Sequence, residues 1–273
     1  DYAVNSKIGL PFLSGDGSTP VNNAFPAWDV IAGQHIALGL LAAERYRRTT
    51  GKGQFVKLAL ADVALATMGH LAYIPEAEVN GDPRQPSGNH IFGTFGHDFA
   101  CRDGRRVMIV GVSPNQWKAI VKVTASQRQV SELEQSLNLD FHNEGDRYKA
   151  REQLKEIFAV WFGQQNFPEA CEALDAAGAC WGPYQTIEEM VSSDIDCSED
   201  NPLFSRVEQP GIGTYLMPSN PLNFTATERE DVKPAPLLGQ HTDEILADTL
   251  GLSSSEIAHL HDAVVVAGPD PVE

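Results

Sequence analysis

The longest regular pattern in the chain runs from about Val30 to Arg48, where Ile31, Ile36, Leu38, Leu40 and Leu41 are interspersed with small Ala and Gly residues. This pattern predicts a helix that packs closely against a sheet or another helix. Arg45, Arg47 and Arg48 gather at its end, where cations suit the negative pole of the helix dipole, and Gly51 and Gly53 stop it. Gln54 to Leu60 alternates and predicts a strand. Asp62 then falls at the cap of a second helix reaching about Ile74. Helix, strand and helix joined by short turns make a fragment of an α/β layer.

Around that fragment the pattern is more broken. Ser14-Gly15-Asp16-Gly17 is turn chemistry, and Asn80 to Asn89, with Gly81, Asp82, Pro83, Pro86 and Gly88, reads as a linker or long loop. Arg105 to Val110 predicts a strand, and Ser113-Pro114 opens a helix. Tyr148 to Phe162 is amphipathic, with Leu154, Ile157, Phe158, Trp161 and Phe162 on one side. Phe167-Pro168 starts another helix, which Gly178 ends, and Glu188-Glu189-Met190 lies in a short one. Residues 97–200 therefore look like a mixed α+β domain. A strand over Gly213–Met217 and a Pro-rich passage, Lys233 to Leu238, follow. Two helices, about Thr242–Leu250 and Ser254–His261, finish the chain, the second with a capping box from Ser253 and Glu256.

Composition narrows the classes. The net charge is −17, from 37 acidic and 20 basic residues, which argues against a nucleic-acid surface. No apolar run approaches the roughly 20 residues that span a bilayer, so no membrane partner is expected. The four cysteines, Cys101, Cys171, Cys180 and Cys197, lack metal-ligand spacing. Reduced thiols in a cytoplasmic protein, with no bound metal, are the expectation. Asp1–Gly15 has neither a basic n-region nor a continuous apolar stretch. It reads as the interior of a fold, with something expected to precede it.

Signatures of P-loop, dinucleotide, zinc-protease and serine-hydrolase sites are missing. His259 and His261 stand two apart at a helix end and read as solvated. His35 reads as packed, and Glu44 as paired to a nearby cation. Asp29 stands out, because Pro26-Ala27-Trp28-Asp29 leads a loop into the long helix. There the dipole and free N–H groups favour an ionised carboxylate, with Phe25 and Trp28 near in sequence as an apolar surround. Such a carboxylate can attack an activated acyl carbon. On the residues alone an ordinary N-cap aspartate is the better account.

Longer motifs change that balance. Asp29-x-x-x-Gly33-x-His35-x-x-x-Gly39-x-x-Ala42-Ala43, Arg48-Thr49-Thr50-Gly51-Lys52-Gly53-Gln54-x-Val56 and Asp62-Val63-Ala64-Leu65 resemble family III CoA-transferases of the CaiB/BaiF type. Three further stretches agree in order: Gly88 to Asp98, Leu174 to Glu189, and Pro234 to Thr242. The first of these resembles the family's glycine-rich loop, although Phe92 and Phe95 interrupt it and Thr94 stands near the family's usual Gln.

The resemblance implies an α/β fold, the C-terminal part of a Rossmann-like large domain (1–90 and 206–273) plus a smaller α+β domain (91–205), in an interlocked homodimer. It implies Asp29 as the nucleophile, and Asn89, His90, Gly93, Thr94 and Gly96 as substrate- or CoA-binding residues. Coenzyme A enters as part of an acyl-CoA substrate, with no other cofactor. The family's N-terminal α/β half, which supplies much of the CoA binding, has no counterpart in these residues.

A closer likeness, in Asp1-Tyr2-x-Val4-Asn5, Pro26-Ala27-Trp28-Asp29 and Val207 to Gly213, is to members that move CoA between the two carboxyls of one mesaconate. An intermolecular CoA-transferase, an α-methylacyl-CoA racemase and an inactive fragment are the alternatives.

Overall fold

The computed structural model describes residues 1–15, 17–81 and 84–269. Asp16 of the first expected turn and Asp82 and Pro83 of the expected linker lie outside them. Contacts divide the chain into two compact units, Asp1–Tyr184 and Gln185–Glu273.

The first unit opens with two single-turn helices, Tyr2–Asn5 and Leu10–Leu13, and then forms the long helix α1, Ala27–Thr50. Its 24 residues extend about 36 Å at 1.5 Å each. Gly51 ends it in the left-handed conformation, and Glu44 pairs with both Arg47 and Arg48 at 2.7 Å. The expected Glu44 pairing is therefore made. The expected close packing is made only at the N-terminal end, where Trp28 and Ala32 are buried. Leu38, Leu40 and Leu41 are 67%, 69% and 68% exposed, so these leucines, spread around the helix, have no cover among the described residues.

The expected strand over Gln54–Leu60 is also unpartnered. Lys52–Ala59 runs outside any ladder, and Leu60 already begins helix α2, Leu60–His70. Alternation makes a segment strand-competent, but a strand needs a neighbour for its N–H and C=O groups. Among the described residues nothing supplies one. Asp62 is the third residue of α2, with Ala59 at the cap, so it is not the cap expected. The helix expected to reach Ile74 stops at His70; a short turn, Tyr73–Pro75, and a π-helical turn, Glu76–Asn80, follow.

The core of the unit lies further on. Strands β1 (Phe95–Ala100), β2 (Arg106–Gly111) and β3 (Cys180–Pro183) form an antiparallel sheet in that order, with Phe95 opposite Gly111 and Asp98 opposite Met108. Helices α3 (Pro114–Val123), α4 (Gln127–Leu137), α5 (Glu144–Lys149), α6 (Arg151–Phe162) and α7 (Phe167–Ala177) accompany it. Leu154, Phe158 and Phe162 of α6 are fully buried with Phe95, Phe99, Val107 and Ile109 of the sheet. Each such side chain contributes roughly 1.5–3 kcal/mol. Rings fix the packing, with Phe99 stacked on Phe162 at 4.6 Å and Phe95 edge-on to Phe158 at 5.1 Å. Ser113 and Gln116 form a reciprocal capping box at α3, and Gly178 closes α7 at φ 63°. The amphipathic stretch read from Tyr148 is broken at Ala150, between α5 and α6.

In the second unit, helix α8 (Ile187–Ser193) is boxed by Thr186 and Glu189. Strand β4 (Phe204–Gln209) pairs antiparallel with β5 (Gly213–Pro218), supplying a partner for the expected Gly213–Met217 strand. The Gln209 amide clasps Ala235, donating to its carbonyl at 3.0 Å and accepting its N–H at 2.8 Å. Helices α9 (Thr242–Asp248) and α10 (Ser254–Asp262) close the unit, with the expected capping box and a His261–Asp243 contact of 2.7 Å.

Candidate active site

Asp29 is held by what lies beneath it. Trp28 is buried with Ile8, Ala64 and Met68, and its indole N–H donates to Asn5 Oδ1 at 3.0 Å. Asn5, 1% exposed, also donates to Asn22 at 2.5 Å. The first turn of α1 is thereby fastened to α2 and to the Tyr2–Asn5 turn, while the Asp29 side chain is exposed.

Asp29 is the third residue of the helix rather than its cap. Pro26 occupies the cap and offers no side-chain oxygen. Asp1 replaces it: its Oδ2 accepts the N–H of Trp28 at 2.6 Å and of Asp29 at 3.1 Å. The apolar surround expected from Phe25 and Trp28 does not form within this chain, because Trp28 points into the core and Phe25 is 57% exposed. His35 is exposed rather than packed, and its Nδ1 lies 2.9 Å from the Ile31 carbonyl. Among the described residues the Asp29 carboxylate has no hydrogen-bond partner.

The expected glycine-rich loop is shorter than Gly88–Asp98, because β1 begins at Phe95. Gly88 donates its N–H to the Gly15 carbonyl at 2.9 Å, tying the loop to the N-terminal segment. Gly93 turns at φ 80° with open space where a side chain would stand. Thr94 is buried and donates to the Gly111 carbonyl at 3.2 Å. Gly96 lies inside β1, where a Cβ would collide with Ile91 Cδ1. Phe92 lies under the Arg84 guanidinium at 3.4 Å, and Tyr73 lies 4.2 Å from the same group, so the loop is stacked onto the end of the helical segment.

Asn89 and His90 meet a charged cluster. Asn89 donates to Asp98 at 2.9 Å, and Arg106 forms a very short pair with the same carboxylate. Burial raises the Asp98 pKa, but Asn89, Arg106 and His97 together hold it below the usual carboxylate range. The His90 side chain, 6% exposed, meets His97 edge-on at 4.1 Å. Its Nε2 lies 2.9 Å from Glu152, yet neither ring nitrogen makes a hydrogen bond. Burial and then His97 push its pKa down to about 4.

The structure thus sets Asn89 against Asp98 and His90 against His97, and gives Thr94 and Gly96 roles in the sheet. Among the described residues, none of the five loop positions makes a hydrogen bond, ion pair or ring contact with Asp29. The pattern reading missed Asp1, whose capping role needs a contact across 28 positions. It also missed the His97–Asp98–Arg106 group, which the β1–β2 register assembles. All four cysteines are free, and no helix is long and apolar enough to cross a membrane among the described residues.

The chain belongs to CoA-transferase family III, whose sequence profile matches residues 1–242. It is 50% identical over 272 residues to 2-methylfumaryl-CoA isomerase of Chloroflexus aurantiacus, covering 99% of this chain and 66% of that protein. It is 29% identical over 288 residues to a formyl-CoA:oxalate CoA-transferase of Rhodopseudomonas palustris, covering 96% and 62%. The fold matches that of a CaiB/BaiF family protein from Brucella suis with a TM-score of 0.68 at 19% identity, over 91% of this chain and 62% of that one. The chain therefore spans just under two thirds of the length of these relatives.

Proposed function

We propose that this chain carries the acyl-accepting carboxylate of a CoA-transferase that moves CoA between the two carboxyl groups of mesaconate. The observation that carries the reading is the 50% identity to 2-methylfumaryl-CoA isomerase across 99% of the chain. The exposed carboxylate of Asp29, on a turn anchored by Trp28, supports a nucleophile held in place and free to react.

Asp29 attacks the thioester carbon of the C1 acyl-CoA, forming an acid anhydride and releasing CoA thiolate. The thiolate attacks the aspartyl carbonyl, giving an aspartyl-CoA thioester and free mesaconate. The C4 carboxylate of mesaconate then attacks that thioester, expelling thiolate and forming a second anhydride. Thiolate attack at C4 completes the 3-methylfumaryl-CoA product and regenerates the Asp29 carboxylate. No external acceptor or redox partner enters. Backbone N–H groups of the loop around Gly93 would stabilise the oxyanions.

The same reading places 1–90 and 206–273 in a Rossmann-like large domain and 91–205 in a smaller one, within an interlocked cytoplasmic homodimer. In it Asn89, His90, Gly93, Thr94 and Gly96 serve substrate or CoA binding, and coenzyme A arrives only as substrate. The exposed Ile36, Leu38, Leu40 and Leu41 of α1 support further cover over that helix.

The test is to supply mesaconyl-C1-CoA alone and follow the C4 isomer by chromatography. Conversion without added carboxylate supports the intramolecular reaction. Conversion only when a second carboxylic acid is present would replace it with an intermolecular transferase.

A further inference from the structure

Away from Asp29, a cavity of about 230 Å³ opens beside α3, the start of α4 and the segment ending at Arg147. Trp117, Val121 and Val130 give it apolar walls, and Lys118 and Lys122 stand on the same helix at its exposed side. No carboxylate is among its lining residues, although the chain as a whole carries −17.

Arg147 also lines this cavity and is fully buried. Its guanidinium donates to the carbonyls of Phe141 and Val112 at 2.8 Å and of His142 at 3.3 Å. Those acceptors orient the group but do not neutralise it. Its Nε has no hydrogen-bond partner; the Trp117 ring lies 5.4 Å from the guanidinium, and Glu144 acts on it only through space, with no ion pair of 4 Å or less among the described residues. Buried charges are ordinarily paired, since desolvating an uncompensated ion is costly. A buried cation, two lysines and an aromatic wall around a small apolar space are complementary to an anion with an apolar body.

We propose that this cavity is a binding site for a small amphipathic carboxylate, its apolar body against Trp117, Val121 and Val130 and its charge toward Lys118 and Lys122 at the exposed side, with the buried charge of Arg147 behind the wall adding a favourable field. The volume is below the roughly 300–1,000 Å³ of sites for drug-sized ligands, so the occupant is a single ring or a short chain. The site shares no residue with the proposed reaction and stands independently of it.

The test is a nuclear magnetic resonance titration of the full chain with benzoate, following the Trp indole N–H signals, with Trp117 identified through Trp117→Phe. Neutral benzyl alcohol is the control. Benzoate is expected to shift the Trp117 signal saturably, with a Kd of roughly millimolar order, and benzyl alcohol to bind more weakly. The Lys118→Gln/Lys122→Gln variant changes only exposed side chains and should weaken benzoate about three- to ten-fold. Val121→Trp, which fills the cavity, should abolish the shift, and Arg147→Lys, which keeps the charge, should retain it in part. The proposal is overturned by a shift that never saturates, by equal affinity for benzyl alcohol, or by benzoate binding that survives either the double variant or Val121→Trp unchanged.

Discussion

Asp1 accepts the backbone N–H of Asp29 at 3.1 Å and that of Trp28 at 2.6 Å, so a carboxylate 28 positions upstream caps the helix that presents Asp29. Pro26 cannot do this from the cap position itself. Asp1→Ala should therefore cost about 0.5–2 kcal/mol, the usual range for a lost N-cap. Asp1→Asn, which keeps an acceptor but loses the charge facing the dipole, should fall between. Urea unfolding midpoints of the three proteins check this; equal midpoints would show that the contact is idle.

His90 should make stability fall on mild acidification. Its pKa in the folded chain is about 4, against an ordinary 6.5, because burial and His97 oppose its charge, with Lys155 and Arg151 adding to them and Glu152 opposing. The unfolded chain takes up the proton as pH falls through about 6.5, while the folded chain does so only near 4. Stability should drop by about 2–3 kcal/mol across that window and level off below it. In His90→Phe the slope between pH 6.5 and 4 should flatten, as read from urea midpoints at several pH values.

Asp98 behaves in the opposite sense. Its pKa is depressed, so its contribution is present above the ordinary carboxylate range and lost as pH falls through the folded value. Arg106→Met leaves Asn89 as a neutral partner of a carboxylate that is 3% exposed. A loss of about 1–3 kcal/mol at pH 7 is expected. The gap to the parent protein should narrow as pH falls below the ordinary carboxylate range and through the depressed folded value of Asp98. A gap independent of pH would locate the effect in packing instead.

The exposed leucines of α1 make a different expectation. Leu40 and Leu41 touch little within the chain, so Leu40→Gln and Leu41→Gln should change the stability of this chain by no more than about 0.5 kcal/mol. Light scattering at high concentration should fall as the apolar patch is interrupted. A large loss of stability would mean that these side chains are covered.

Local chemistry made many elements legible in advance. The Ser113-Pro114 start, the Ser253 box, the Gly51 and Gly178 stops and the Phe158 face of α6 each declare themselves within a few residues. Two kinds of feature did not. Gln54–Leu60 has the rhythm of a strand, but pairing depends on a neighbour, which no local pattern reports. The segment from Phe95 falls within the stretch that resembles the family's glycine-rich loop. In the fold Gly96 serves close packing against Ile91, and the strand depends on pairing with β2. Asp29 was reachable by both routes: as a residue near a helix start from chemistry, and as a nucleophile only through ordered motifs along the whole chain. Its cap, Asp1, was beyond either.

In the proposed reaction Asp29 accepts the acyl group and then CoA. The most direct measurement is peptide mass spectrometry of protein quenched during turnover of mesaconyl-C1-CoA, alongside the rate of Asp29→Ala. The expected result is a hydroxylamine-labile CoA adduct on the peptide containing Asp29, and a loss of at least roughly 1,000-fold in Asp29→Ala. Isomerisation by Asp29→Ala at a rate near that of the parent protein would contradict the assignment.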